Sequence, residues 1–172
     1  MEKTCCKDGC KDKESSCIED VKEEYNTLKV KYKLPEFEQL AEEFDVERVA
    51  EKETSFLVRE IRRAISEKVS AFLHLFETFM NPSSAPVFIF SMIKNLDDGD
   101  KEKVKEIYKK LSMIEIKILK LDVSYNIEKE VEFIKDTNKE WQTIKQDSIK
   151  ILDKLGEGFD ISNSSSKRGY LA

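Results

Sequence analysis

Three small groups of residues have types and spacings that could do chemistry. The first is MEKTCCKDGCKDKESSC (1–17), which holds every cysteine of the chain: Cys5, Cys6, Cys10 and Cys17. Four thiolates this close together could wrap one zinc ion. Cys6-x3-Cys10 approximates the two-to-four-residue knuckle that presents paired sulfurs tetrahedrally. There is no C-x-x-C, however, and adjacent cysteines rarely serve the same ion. The flanking Lys3, Lys7, Lys11 and Lys13 would lower thiol pKa values, which is what a redox or disulfide role requires. The plainer reading is an unstructured leader carrying free thiols.

The second group is basic. Four of the five arginines lie at positions 48, 59, 62 and 63. In VREIRR (58–63), Arg59, Arg62 and Arg63 fall one helical turn apart, so their guanidinium forks would share a face suited to carboxylate or phosphate. Just before them, segment 34–53 holds eight acids against two bases. A match within the chain explains both features at once, and an acidic protein partner is the second use of such a face. Nucleic acid would call for interleaved aromatics and more surrounding lysine, and it is not expected as a partner.

The third is His74-x2-Glu77, two potential metal ligands on one helical face. Di-metal bundles use Glu-x-x-His twice, with further Glu residues from two other helices. Here a single histidine stands in the reverse order among Leu73, Leu75 and Phe76, which reads as a packing residue at the edge of an apolar face. No nucleophile elbow, phosphate loop, dinucleotide fingerprint or H-E-x-x-H motif occurs. No catalytic or cofactor-binding residue is therefore assigned, and the chain is expected not to be an enzyme. Zinc at the four cysteines is the one cofactor the sequence suggests.

The elements that must position these residues are helical. Hydrophobic residues make up 40% and charged residues 38% of 172, with only five glycines and three prolines. High charge with few breakers is the composition of long amphipathic helices. The net charge of −5 argues against general attraction to nucleic acid or an anionic membrane. The longest apolar stretch, PVFIFSMI (86–93), is well short of the roughly 18 residues of a spanning helix. The N-terminus lacks the apolar run of a signal peptide. A cytoplasmic protein with no membrane role and reduced thiols is expected.

Apolar periodicity predicts an all-α fold, an up-and-down antiparallel bundle of three long helices at about 54–81, 100–125 and 126–155. Shorter helices at about 16–33, 35–44 and 86–96 brace them. Ile18, Val21, Tyr25, Leu28 and Tyr32 share the first face, and Phe37, Leu40, Ala41 and Phe44 the second. The third pattern runs from Phe56 to Met80 behind caps at Thr54 or Ser55. VFIFSMI (87–93) is read as a buried helix. A sustained heptad follows: Val104, Ile107, Leu111, Ile114, Ile118, Leu121 and Tyr125. Ile116 and Leu119 fall off that seam, so this helix is expected to be buried on more than one side. Asn126 should cap the last helix, with Ile127, Val131, Ile134, Trp141, Ile144, Ile151, Leu152 and Leu155 facing inward. Gly156 and Gly158 should end it. These signals suggest a flexible leader over 1–14, a single domain over 15–158 and a flexible polar tail over 159–172.

The apolar supply exceeds what one bundle of this size would cover, and surplus apolar surface generally marks an interface. The favoured expectation is a non-enzymatic protein that binds a protein partner or itself. A metal-binding or redox-responsive protein using Cys5, Cys6, Cys10 and Cys17 is the alternative. A third reading comes from LPEFEQL (34–40), then a long helix with LVREIRRAISEK (57–68), then a helix rich in Lys and Glu. That order resembles the helical subunits of the archaeal and eukaryotic GINS replication complex. The resemblance covers about half of the chain and lacks that family's small β-domain. It implies a subunit of a replication-type complex, with Arg59, Arg62 and Arg63 as the partner face.

Overall fold

A computed structural model describes residues 11–51, 56–81, 83, 86–94 and 96–166, with side chains described over 18–50, 56–81, 83, 86–94 and 96–156. Among the described residues there are six α-helices and no strand: α1 (Lys11–Tyr32), α2 (Phe37–Phe44), α3 (Leu57–Met80), α4 (Val87–Ile93), α5 (Asp98–Val123) and α6 (Ile127–Ser166). A 3₁₀ helix that the sequence reading lacks, Val46–Glu51, follows α2. The contacts divide into two compact units, Met1–Ile65 and Ser66–Ala172, and the division falls inside α3.

The first unit is organised by the stop between α1 and α2. Lys33 takes a left-handed φ of 55°, and the Leu34 N–H reaches back to the Lys29 carbonyl at 3.3 Å. This is the Schellman pattern with lysine where glycine is usual, and Pro35 just beyond prevents the helix from resuming. The turn brings α2 back onto α1. Tyr25 is buried, donates its hydroxyl to the Pro35 carbonyl at 2.8 Å, and meets Phe37 edge-on at 5.3 Å. Phe37, Leu40, Phe44, Val46, Val49, Leu57, Ile61 and Ile65 complete this core.

The second unit is an up-and-down arrangement. Ser70 of α3 donates to Glu115 of α5 at 2.8 Å, while Phe79 and Met80 further along α3 line a pocket with Lys101 and Val104 near the start of α5. The two helices therefore run in opposite directions. Between α5 and α6 the ion pairs step the same way: Lys117–Glu140 at 3.3 Å, Lys110–Asp147 at 4.0 Å, then Asp100–Lys154. Surface pairs of this kind add little stability, but their order records antiparallel pairing. The short Ser124–Asn126 link enforces it. Asn126 caps α6 as expected, its side-chain oxygen accepting from the Lys129 N–H at 3.0 Å. At the other end of the unit, Asp97 and Asp100 form a capping box that starts α5 at Asp98, just ahead of the expected 100.

The α5 heptad is buried as predicted from Val104 to Leu121, while Tyr125, its expected last member, is exposed. It faces a continuous seam on α6: Glu130, Ile134, Thr137, Trp141, Ile144, Ser148, Ile151 and Leu155, all buried. The four- and three-residue steps of that seam are the spacing of helix-to-helix packing. Trp141 takes the Phe72 ring edge-on at 5.0 Å. Phe76 and Phe79, the other aromatics of α3 expected in the core, are buried as well.

Several expectations need correction. VFIFSMI is helical, but α4 has no buried residue: seven residues cannot turn an all-round apolar surface entirely towards one neighbour. Ile116 and Leu119 are exposed, so α5 is covered on its seam side and open opposite it. Phe56 and Leu152 are also exposed. α1 starts at Lys11, within the predicted leader, because nothing between Lys11 and Tyr32 breaks a helix. α6 passes through Gly156 and Gly158 to Ser166. An internal glycine costs a helix only about 1 kcal/mol, and no proline follows to stop it. Thr54 and Ser55 lie outside the described residues.

Candidate functional site

The three groups singled out in the sequence fare differently. Cys5, Cys6 and Cys10 lie outside the described residues. Cys17 lies on α1, in the stretch whose side chains are not described. The zinc and redox readings therefore concern a part of the chain beyond the described side chains. Among the described residues, no group of three or more His, Cys, Asp or Glu side chains is gathered as a metal would require. His74 projects into solvent rather than packing, 85% exposed, with Nδ1 at 3.6 Å from Glu77.

Arg59, Arg62 and Arg63 do not form one exposed face. Arg62 is only 1% accessible, Arg59 is half-buried, and Arg63 is exposed with Nη1 at 2.6 Å from the Glu60 carboxylate. Arg62 is therefore withdrawn from solvent and is not part of an exposed basic face. The predicted acidic match is partly redirected: Glu36 and Glu38 are met by Lys29 and Lys22 of α1. Lys22 and the Glu38 backbone amide hold the Glu38 carboxyl below the usual carboxylate range, the amide contributing more.

What the structure does gather is apolar surface. On α4, Val87 is 83% exposed, and Phe88 and Phe90 are open as well. Lys94 lies over the Phe90 ring at 4.5 Å, which sets a cation against one face of that ring. Beside α4 is an apolar pocket of about 260 Å³ lined by Phe79, Met80, Ile93, Leu96, Lys101, Val104 and Lys105. Its only charged groups are two lysines, already close to Asp98 and Glu102 at 3.0 Å. No pair of titratable groups converges there for acid–base work.

A second surface lies on α5, on the side facing away from the buried seam. Met113, Ile116, Leu119 and Val123 are all exposed, Val123 at 88%. At 100° per residue they share one arc of the helix, roughly opposite the line from Val104 to Leu121. Lys120 falls between Met113 and Ile116 on this arc, flanking the line of Ile116, Leu119 and Val123. Glu115, whose Oε2 accepts from Ser70, flanks that line on its other side. Sequence reasoning noted Ile116 and Leu119 as off the seam but assigned them to a second buried side. The missing signal was Met113 and Val123, which extend the same stripe.

No protein-family model, curated protein or solved structure matches the chain. Among the described residues, no helix is long and apolar enough to cross a membrane.

Proposed function

We propose that this protein works by binding protein, without catalysis, through the outward apolar surfaces of its second unit. The observation that carries this reading is the α5 stripe of Met113, Ile116, Leu119 and Val123, exposed opposite a fully packed seam. Isolated exposed apolar side chains are ordinary, whereas a contiguous stripe of them marks an association site. The open aromatics of α4 support the same reading from a second place. A role for Arg59, Arg62 and Arg63 as a common partner face has less support, because Arg62 is buried.

The test compares the wild-type protein with Leu119→Glu and Phe88→Asp variants. Sedimentation equilibrium reads self-association, and cross-linking in its own cells reads other partners. Association present in the wild type and lost in at least one variant is the expected result. A protein that forms no complex of either kind, or complexes indifferent to both changes, would overturn the reading.

A further inference from the structure

Resting on that reading, we infer that the partner of the outer α5 stripe is the same stripe of a second copy, paired parallel to it. The argument begins with spacing. Ile116, Leu119 and Val123 are separated by three and then four residues, the a–d–a steps of a two-stranded coiled coil. In that frame Ile116 and Val123, both β-branched, occupy successive a positions with Leu119 at the d between them, and Ser112 stands at the preceding d. This combination favours two parallel strands over higher assemblies. Met113 and Lys120 then stand at e, and Glu115 at g.

Charge fixes the partner and its direction. Glu115 and Lys120 lie on opposite flanks of the line of Ile116, Leu119 and Val123, five residues apart, which is the g-to-e′ spacing between parallel helices in register. Two copies side by side place Glu115 of each against Lys120 of the other, twice by symmetry. An antiparallel pair sets each flank against its own copy, so Glu115 and Lys120 never meet. Lys120 is exposed, and the Glu115 carboxylate has acceptor capacity beyond the single bond from Ser70 at 2.8 Å. Lys109, at the preceding a position, opposes its own copy and limits the pairing to the C-terminal half of α5. That half spans about 18 Å at 1.5 Å per residue. A contact this short predicts a dimer of micromolar rather than nanomolar strength.

The experiment is a charge swap in the full-length chain, read by sedimentation equilibrium at up to roughly 100 μM, well above a micromolar dissociation constant. Circular dichroism confirms that each variant is folded. The wild type is expected to dimerise. Lys120→Glu and Glu115→Lys alone should each weaken dimerisation by about tenfold or more, since each sets like charges across the pair. An equimolar mixture of the two should regain dimers, all of them mixed, because the swapped charges attract only between different variants. A second arm uses Leu119→Cys in a chain with Cys5, Cys6, Cys10 and Cys17 changed to Ser. Parallel pairing brings residue 119 to its own copy, so oxidation should give a covalent dimer.

A wild type that stays monomeric overturns the self-pairing, while the wider reading still stands or falls on cross-linked partners and the Leu119→Glu variant. A wild-type dimer indifferent to the single swaps, or a mixture that fails to pair, also overturns it and places the dimer contact elsewhere.

Discussion

The inner and outer faces of α5 are made of the same kinds of residue and meet opposite fates. Inward lie Val104, Ile107, Leu111, Ile114, Ile118 and Leu121, all buried against neighbouring helices. Outward lie Met113, Ile116, Leu119 and Val123, all open to water. Hydrophobicity does not separate the two sets; the presence of a facing helix does. The inner line has α6, with a seam of matching period, and the outer line has no covering helix among the described residues. Apolar surface is stabilising only in the state that removes it from water. The inner face therefore acts in folding, and the outer face is the one we propose for association.

The sharpest way to break this contrast is to truncate one residue on each side. Leu111→Ala should cost about 2–5 kcal/mol, from lost burial and the cavity left behind. Leu119→Ala should stay within about 0.5 kcal/mol for the isolated monomer, as exposed changes usually do. Urea denaturation at low protein concentration measures both. Equal costs would mean that the outer face is covered within a single copy.

A covered position can also hold a polar group, and the core of the first unit does so at Tyr25. Burial above all, then the carboxylates of Glu36 and Glu38, raises its phenol well above the ordinary value of 10.0. The folded form therefore keeps its proton at a pH where the unfolded chain loses it. Stability from this group is fully present below pH 10 and is lost as pH rises towards the folded value, by up to about 1.4 kcal/mol per unit. Stability measured from pH 9 to 11 should show this fall, and Tyr25→Phe should flatten it. An unchanged slope in the variant would place the alkaline sensitivity elsewhere.

A smaller effect of the opposite sign is expected inside the α5–α6 seam. Thr137 Oγ1 and Ser148 Oγ are buried with no hydrogen-bond partner among the described residues. A buried hydroxyl left unmatched is destabilising, and replacing it with an apolar group of similar shape removes that penalty. Thr137→Val should raise stability by about 1 kcal/mol. A loss of stability instead would show that the hydroxyl is bonded in the folded protein.

Much of the fold was legible because few residues interrupt the periodicity. The α5 heptad, the Asn126 cap and the stop after Met80 follow from patterns a few residues long. The α6 seam was only half legible. Ile134, Trp141, Ile144, Ile151 and Leu155 announce it, but Glu130, Thr137 and Ser148 occupy the same line and read as surface residues. Extending the three- and four-residue steps through them would have found the full seam. The arginine cluster misled for the converse reason: VREIRR reads as a basic face, yet Arg62 is drawn inside. Nothing in the local sequence shows where that happens. α4 misled because a nearly all-apolar heptapeptide looks buried wherever it occurs.

By itself, the sequence determined that this chain is helical, about where its helices lie, and that α5 carries more apolar residues than one seam can use. These are consequences of short-range physics: backbone hydrogen bonds close over four residues, and side chains repeat every 3.6. Only the tertiary structure decided which apolar line meets a partner helix, which arginine is inside, and that both aromatics of α4 remain open. Each of those outcomes depends on surfaces brought together from distant parts of the chain, and a surface is buried only by what lies across from it.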